Sequence, residues 1–585
     1  MRRRDLLMAA ATAPALAAAS GADLTAEAEP LAAKGKGKAK HGRKDRPTGK
    51  DGKGGQTAAQ PEATPPADDA AVDPAGKGNR PTSLYGMNLL VFITDQNRAV
   101  QHFPKGWAER NLPNEQRLRK KGLSFNNACC SACMCSPSRS TLMSGYFPAQ
   151  HGVKYTLEYA MTDPQTQPQV ELPTNLPNLA TVMAAAGYET VYKGKWHCSK
   201  PADTNPDPSK DPPCTSTPGW VPSDLATYGF QRWDPQDAGA NQDPCEAGGG
   251  SIENDNRYMN DDGDVEDGDE GILAYLHQVD PDQQPFFLVA SLVNPHDVLA
   301  YPANYDLFGY DASWLDSTGI ELPQTADENL VPTKPSVQAQ FLALSSQLGP
   351  HTREEQQNYL NFYGNLMIQQ DKFLGEILDL LDHRGLTEST VVVLTSDHGE
   401  MGITHGGMIQ KNFNFYEETL RVPLVWSNPV VWPKAKQSNA LVSHVDFLPT
   451  VAELFEAPQQ ARAQWQGVDY ASLVLKPKKK KKKKSVQDYV VFTYDDFQSG
   501  QPTGPYPTGA NHIVSIREKR YKLAKYYDPH TLVTPEWEMY DLKSDKLETR
   551  NLGNPNVKRT TKQYKVFKRL QQKLAEVEQT RLQPL

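Results

Sequence analysis

The sequence predicts an α/β fold in which helices sandwich a large mixed, mostly parallel sheet, with a smaller antiparallel sheet subdomain at the C-terminus. Continuous apolar runs of strand length occur at residues 87–94, 286–293 and 390–395, as expected for strands that are buried on both faces. A strongly amphipathic segment before the third run predicts a helix that stops at Gly385. Helices that alternate with buried strands are typical of α/β proteins.

Each predicted strand of the large sheet is followed by polar residues. A short helix over 181–186 and a strand over 188–192 add a fourth unit of the same kind. The ligand crevice of such sheets lies outside the carboxyl ends of the strands, so we expect the four polar clusters to converge on one site. These clusters are Asp95-Gln96, Lys195-Trp196-His197, Asn294-Pro295-His296 and Ser396-Asp397-His398-Gly399.

The pattern of apolar residues in the sequence changes after Pro477. Short apolar segments separated by turns predict the antiparallel subdomain, and residues 565–580 predict a closing amphipathic helix. The run Lys478 to Lys484 predicts an exposed loop between the two parts. We therefore expect a main domain over 83–475, a polylysine loop over 476–486 and the C-terminal subdomain with its helix over 487–585.

The N-terminus has the layout of an export signal. Arg3-Arg4 precedes an Ala-rich apolar stretch, which predicts a twin-arginine-like signal over 1–32 and a periplasmic or extracellular protein. A disordered basic start with a chance apolar run is the alternative. Residues 33–82 contain almost no large apolar side chain and predict a disordered, basic and Pro-rich linker. No other segment has the roughly 18 consecutive apolar residues of a transmembrane helix.

Composition limits the function classes. The 585 residues can bury a large core, which favours an enzyme over a small binding module. A formal net charge of -8 gives no sign of nucleic-acid binding.

Seven cysteines are present, and Cys135 is the one that is a candidate for catalytic chemistry. The other six are an even number, compatible with disulfides in an exported protein, although their pairing cannot be deduced. A zinc site is the alternative for the cluster at 129–135, but the adjacent pair Cys129-Cys130 and the lack of a second CxxC or His pair disfavour it. The six are Cys129, Cys130, Cys133, Cys198, Cys214 and Cys245.

The run Cys135-Ser136-Pro137-Ser138-Arg139, followed by Leu142 and Ser144-Gly145, resembles the signature of type I sulfatases of the alkaline phosphatase superfamily. The resemblance implies an alkaline phosphatase-like fold and a catalytic main domain. It also implies that a formylglycine-generating maturation enzyme oxidises Cys135 to formylglycine. The hydrated aldehyde is the nucleophile in that family, because one hydroxyl attacks sulfur and the other then expels sulfate.

The other polar clusters match further positions of the family in the expected order. The resemblance implies one divalent metal ion, with Ca²⁺ favoured by the oxygen ligands and Mg²⁺ or Mn²⁺ also possible. Gln96 departs from the pattern, because many sulfatases have a second Asp there, and its amide carries one negative charge less. The implied metal ligands are Asp95, Gln96, Asp397 and His398, and the implied catalytic residues are Cys135, Arg139, Lys195, His197, His296 and Lys411.

These positions predict a sulfuric ester hydrolase that acts on a sulfated small molecule or carbohydrate. The expected roles are alkoxide stabilisation for Arg139 and Lys195, proton removal for His197, and charge neutralisation for His296 and Lys411. His405 reaches either the substrate or other residues of the site. Two alternatives stay open: a phosphodiesterase or phosphonate monoester hydrolase of the same superfamily, and a non-catalytic protein that binds sulfated glycans.

Overall fold

The computed structural model describes residues 81–99, 103–158, 169–206, 218–235, 237–239, 244–249, 254–263, 270–345, 349–475, 485–500 and 504–585. The predicted export signal, all but the end of the predicted linker and the lysine run at 478–484 lie outside these residues. Within the described part of the chain, no helix has the length and apolar character needed to span a membrane.

The main sheet has seven strands in the order β10-β2-β9-β8-β1-β7-β4. Neighbouring strands run parallel except at β9, which is antiparallel to both β2 and β8. The predicted mixed, mostly parallel sheet is therefore confirmed. Its strands are β1 (Asn88–Thr94), β2 (Gly122–Cys129), β4 (Glu189–Gly194), β7 (Phe286–Leu292), β8 (Thr390–Ser396), β9 (Leu424–Ser427) and β10 (Lys436–Ser443).

The three central strands β8, β1 and β7 are buried along their whole length, as their continuous apolar runs predict. Successive side chains of β1 enter two different hydrophobic cores, since side chains alternate across a strand. Leu89 and Val91 pack in one core, and Leu90 and Phe92 pack in the other. Helices cover both cores, so the sheet is the middle layer of three.

The longest helix covers the second of these cores. It spans Arg353–His383, begins at a capping box of Thr352 and Glu355, and ends two residues before Gly385, which has a φ of 68°. The described helices are α1 (Trp107–Asn111), α2 (Pro113–Lys120), α3 (Cys135–Ser144), α4 (Pro148–His151), α5 (Leu179–Ala185), α6 (Ser223–Ala226), α7 (Asn254–Met259), α8 (Ile272–Gln278), α9 (Ser336–Ser345), α10 (Arg353–His383), α11 (Thr404–Gly407), α12 (Glu417–Leu420), α13 (Phe447–Leu454), α14 (Ala471–Val474) and α15 (Thr561–Thr580).

The predicted C-terminal antiparallel sheet is also present. Strands β11 (Tyr489–Tyr494), β12 (His512–Glu518), β13 (Tyr521–Tyr527) and β14 (Glu536–Asp541) pair antiparallel, and α15 packs its apolar side on them. A fifth strand, β3 (Ala132–Cys133), comes from the main domain and pairs parallel with β11. The segment that leads to Cys135 is thus part of the C-terminal sheet. A separate small sheet pairs β5 (Asp203–Pro206) with β6 (Pro218–Gly219).

Candidate active site

Cys135 is the first residue of α3 and lies at the carboxyl ends of the central strands. Its side chain is buried, with Sγ 3.1 Å from His398 Nε2 and 3.8 Å from Asp95 Oδ1. Pro137 falls in the first turn of the helix, where a missing backbone N–H costs nothing. Burial, together with the charge of Asp95, raises the pKa of the Cys135 thiol to about 11. At neutral pH the unmodified thiol is therefore protonated and a poor nucleophile.

Three of the four predicted metal ligands surround Cys135. Ligand atoms of Asp95, Cys135, Asp397 and His398 all lie within 4.8 Å of one another, and all four residues are buried. Two carboxylates and one imidazole suit a hard or borderline divalent cation. The donor set at this position therefore fits the metal ion that the sequence implies.

Hydrogen bonds fix both the nitrogen and the oxygen of the side-chain amide of Gln96, the fourth predicted ligand. Its Nε2 donates to Glu400 Oε2 at 2.6 Å, and its Oε1 accepts from Lys411 Nζ at 2.7 Å. Glu400 is itself fixed by the Tyr359 hydroxyl at 2.8 Å and by two backbone N–H groups. The sequence analysis missed Glu400, although it directly follows Asp397-His398-Gly399.

Arg139 and Lys195 bring positive charge to the same carboxylates. Arg139 donates from Nε to Asp397 Oδ2 at 2.9 Å, and its Nη2 lies 3.4 Å from Asp95 Oδ2. Lys195 forms an ion pair with Asp95 and also donates to the Gly239 carbonyl at 2.7 Å. Burial alone would raise the pKa of Asp95, but the positive charges of Lys195 and Arg139 hold it well below its usual range. Asp95 is therefore an ionised carboxylate.

His197 has one ring nitrogen occupied and one without a partner. Nε2 donates to the Leu157 carbonyl at 2.8 Å, so Nδ1 is the nitrogen with the lone pair, and it makes no hydrogen bond. Burial, with Lys195 nearby, holds the pKa of His197 well below its usual value. The imidazole is consequently neutral at neutral pH. Such a ring can accept a proton at Nδ1.

The backbone that carries Lys195 and His197 turns directly after the end of β4 at Gly194. His197 has a φ of 53°, in the left-handed region, rather than continuing β4. The Asp237 carboxylate holds this turn by accepting the backbone N–H groups of Trp196 and His197, each at 2.7 Å. Asp237 was not identified from the sequence, since a single Asp forty residues away carries no local signal.

His296 begins a short 3₁₀ segment (His296–Ala300) directly after β7. Burial, together with the positive charge of Lys195, holds the pKa of the buried His296 well below its usual value. The neutral ring is thus a hydrogen-bonding group rather than a cation. His405 lies elsewhere: its Nδ1 is 2.6 Å from Glu328 Oε2, and its ring stacks on Tyr416 at 3.6 Å.

The cysteines depart from the expectation of disulfides. Cys129, Cys130, Cys133 and Cys198 are free and buried, whereas Cys245 is disulfide-bonded. These four thiols lie in the hydrophobic core, where cysteine packs as a small apolar side chain. The metal-capable cluster found among the described residues contains Cys135 but none of the three cysteines before it, so a zinc site at 129–135 is not formed.

Comparison with known proteins identifies the family to which this site belongs. Residues 87–457 match the family model described as Sulfatase, and residues 405–580 match the one described as N-sulphoglucosamine sulphohydrolase, C-terminal. The chain belongs to the sulfatase family. This sulfatase is an enzyme that hydrolyses sulfate esters, as its sequence predicts.

Relatives of the sulfatase cover most of its length. The ulvan-active sulfatase of Formosa agariphila is 25% identical, over 84% of this chain and 81% of the relative. The choline-sulfatase of Rhizobium meliloti is also 25% identical, over 80% of this chain and 83% of the relative. A solved 2-O GAG sulfatase has a TM-score of 0.59 at 21% identity, covering 84% of this chain and 92% of that one. The phosphonate monoester hydrolase of Agrobacterium radiobacter has the same fold, with a TM-score of 0.56 at 19% identity and coverage of 85% and 96%.

Proposed function

We propose that this sulfatase cleaves its ester with a formylglycine formed from Cys135, beside a divalent metal ion. The observation that carries the proposal is the position of Cys135 Sγ among Asp95, Asp397 and His398. The protonated thiol of the unmodified residue is a poor nucleophile, which favours a modified side chain at this position. A hydrated formylglycine supplies one hydroxyl that attacks sulfur and a second whose deprotonation expels sulfate.

Asp95, Gln96, Asp397 and His398 are the proposed metal ligands, with Ca²⁺ favoured and Mg²⁺ or Mn²⁺ as alternatives. Gln96 would contribute Oε1, because its Nε2 is bound by Glu400. A divalent ion there withdraws charge from a sulfate oxygen and lowers the pKa of an attacking hydroxyl.

The remaining residues have separable roles. Arg139 and Lys195, which already neutralise Asp95 and Asp397, hold negative charge on the nucleophile's oxygen. His197 accepts a proton at Nδ1, the nitrogen that has no partner. His296 donates a hydrogen bond to a sulfate oxygen. Lys411 donates a proton to the departing alcohol oxygen, after which the alcohol leaves as the neutral molecule.

The substrate class is a sulfated small molecule or carbohydrate, in line with relatives that are called ulvan-active sulfatase and choline-sulfatase. We also propose export by the twin-arginine route, on the strength of Arg3-Arg4 and the apolar stretch that follows. A formylglycine-generating enzyme would then act on Cys135 as a partner before export.

Mass spectrometry of the peptide across Cys135, combined with turnover of 4-nitrophenyl sulfate, tests the proposal. We expect formylglycine in active protein and no measurable turnover by Cys135→Ala, with an unchanged melting temperature showing that the fold is retained. Full activity of Cys135→Ala, or unmodified cysteine in fully active protein, contradicts it. A matched aryl phosphonate monoester should react more slowly than the sulfate, and the reverse order would favour the phosphonate hydrolase alternative.

A further inference from the structure

A carbonyl group in a neighbouring loop sets the nitrogen at which His197 can accept a proton. The Leu157 carbonyl oxygen lies 2.8 Å from His197 Nε2, and because a carbonyl can only accept, Nε2 carries the hydrogen and Nδ1 the lone pair. The N–H of Leu157 donates to Ser136 Oγ at 3.0 Å, and Ser136 directly follows Cys135. One loop residue therefore contacts both the helix that begins at Cys135 and the proposed base.

Asp496, from the C-terminal part of the chain, holds this loop in place. Its Oδ2 accepts from both the backbone N–H and the hydroxyl of Thr156, at 2.9 and 2.8 Å, and both side chains are buried. A buried backbone N–H needs an acceptor, and a loop has no helix or sheet ladder to supply one. The Asp496 carboxyl therefore fixes the residue directly before Leu157.

The position of Asp496 is itself tied to that of the nucleophile. Strands β3 and β11 pair parallel, with Cys133 opposite Tyr494. Cys135 and Asp496 each lie two residues beyond this pair, so the two chains leave the paired strands in the same direction. The turn after Asp496 is closed by the Gln498 N–H, which donates to Asp496 Oδ1 at 3.1 Å. The C-terminal sheet thus carries both the segment before Cys135 and the carboxyl that fixes the loop.

We infer that Asp496 is a positioning residue through which the C-terminal sheet holds the His197 imidazole with its lone pair at Nδ1. The inference rests on the proposed function, because it takes His197 as the group that accepts a proton. Asp496 acts through Thr156 and Leu157 rather than by contact with the substrate. Without its carboxyl, the Leu157 carbonyl is free to move, and the ring loses the acceptor that selects one tautomer and one orientation.

Steady-state kinetics on 4-nitrophenyl sulfate test the inference with Asp496→Ala, His197→Asn and the double variant, with rates corrected for the formylglycine content measured by mass spectrometry. We expect Asp496→Ala to lower kcat roughly 10- to 100-fold with little change in KM, since a misplaced base costs rate rather than binding. In the His197→Asn background the same substitution should change kcat by less than roughly twofold, because the group through which it acts is already gone.

Two further variants complete the kinetic test. Asp528→Ala is the matched control and should leave kcat unchanged, because the Asp528 carboxyl accepts the N–H groups of His530 and Leu532 in its own turn after β13. Asp496→Asn keeps the shape of the side chain and so retains the fold if Asp496→Ala does not, as judged by the melting temperature. It leaves one oxygen for the donors on both sides of the carboxyl, so kcat should fall in the same direction by a smaller factor.

Crystal structures of the wild type and of the folded Asp496 variants give a readout that does not depend on turnover. In the variants we expect the Leu157 carbonyl to lie beyond hydrogen-bond distance of His197 Nε2, or the ring to adopt a second orientation. An unchanged hydrogen bond, an unchanged kcat, or losses that multiply in the double variant overturn the inference. A normal kcat of His197→Asn is a separate result, which counts against the proposed function, and the crystal structures then still decide whether Asp496 positions the ring.

Discussion

Gln96 and Glu400 form a hydrogen bond whose direction fixes the Gln96 amide. Only the amide NH₂ can donate to the Glu400 carboxylate, and only the amide oxygen can accept from the Lys411 ammonium, so both contacts assign the same orientation. Oε1 is therefore held away from Glu400 and is available as an oxygen ligand. The buried Glu400 thus orients the neutral amide of Gln96, although Glu400 is not one of the residues of the cluster that could hold a metal ion.

Glu400→Gln should weaken metal binding. The amide introduced at position 400 can donate as well as accept a hydrogen bond, so it can pair with either end of the Gln96 amide. Oε1 of Gln96 is then no longer held in one place. We expect Ca²⁺ affinity to fall roughly 10- to 100-fold, as for other residues that orient metal ligands. Calorimetric titration of chelator-treated protein measures this, with the exposed Glu388→Gln as control. Unchanged affinity in Glu400→Gln would show that the hydrogen bond does not orient a ligand.

His197→Asn should lower kcat far more than it changes KM. The imidazole is neutral and its Nδ1 has no partner, so the side chain is placed to take a proton rather than to bind substrate. Loss of a positioned base typically costs roughly 100- to 10,000-fold in rate. Steady-state kinetics on 4-nitrophenyl sulfate test this against His530→Asn, a change at an exposed histidine. A normal kcat with a raised KM would assign His197 to binding instead.

His151 should make stability fall in acid. Its Nδ1 accepts from the Val153 N–H and its Nε2 faces Thr141 Oγ1, so the buried ring is neutral, and burial lowers its pKa to about 3. Between pH 3 and about 6.5 the unfolded chain binds the extra proton, so the free energy of unfolding drops as pH falls. One such proton contributes up to about 1.4 kcal/mol per pH unit.

Urea unfolding at pH values between 5 and 8 measures this slope. His151→Gln should flatten it below pH 6.5, whereas the exposed His530→Gln should not. Identical slopes in wild type and His151→Gln would contradict the assignment of a neutral, hydrogen-bonded ring.

Gly194→Ala should be far more disruptive than Gly187→Ala. Both glycines have positive φ, 102° and 89°, so both substitutions strain the backbone, by roughly 1–2 kcal/mol. A Cβ at Gly194 would also lie 1.8 Å from the Ser291 carbonyl oxygen, whereas a Cβ at Gly187 meets nothing within 4 Å. We expect Gly194→Ala to lose more than about 3 kcal/mol of unfolding free energy, as measured by denaturant titration. Equal losses at the two sites would show that β4 and β7 can move apart at Gly194 and Ser291 with little cost in free energy.

The main sheet was predictable because its central strands are buried on both faces, which leaves a continuous apolar run in the sequence. Strand ends then locate polar residues such as Asp95 and Asp397 without knowledge of the tertiary structure. Asp237 was not predictable, because it acts through hydrogen bonds to a turn distant in sequence. The free state of Cys130 and Cys133 also depends on tertiary burial, which a cysteine count does not reveal.

Strand β3 escaped prediction because two residues have no periodicity. Its partner, β11, lies about 360 residues further along the chain. At roughly 5–20 residues per second, a ribosome needs on the order of 20–70 s to make that stretch. During this interval the segment before Cys135 lacks its strand partner, whereas in the finished fold Cys135 is only 2% exposed. The modification proposed for Cys135 is therefore expected to be easiest before β11 has been made and paired.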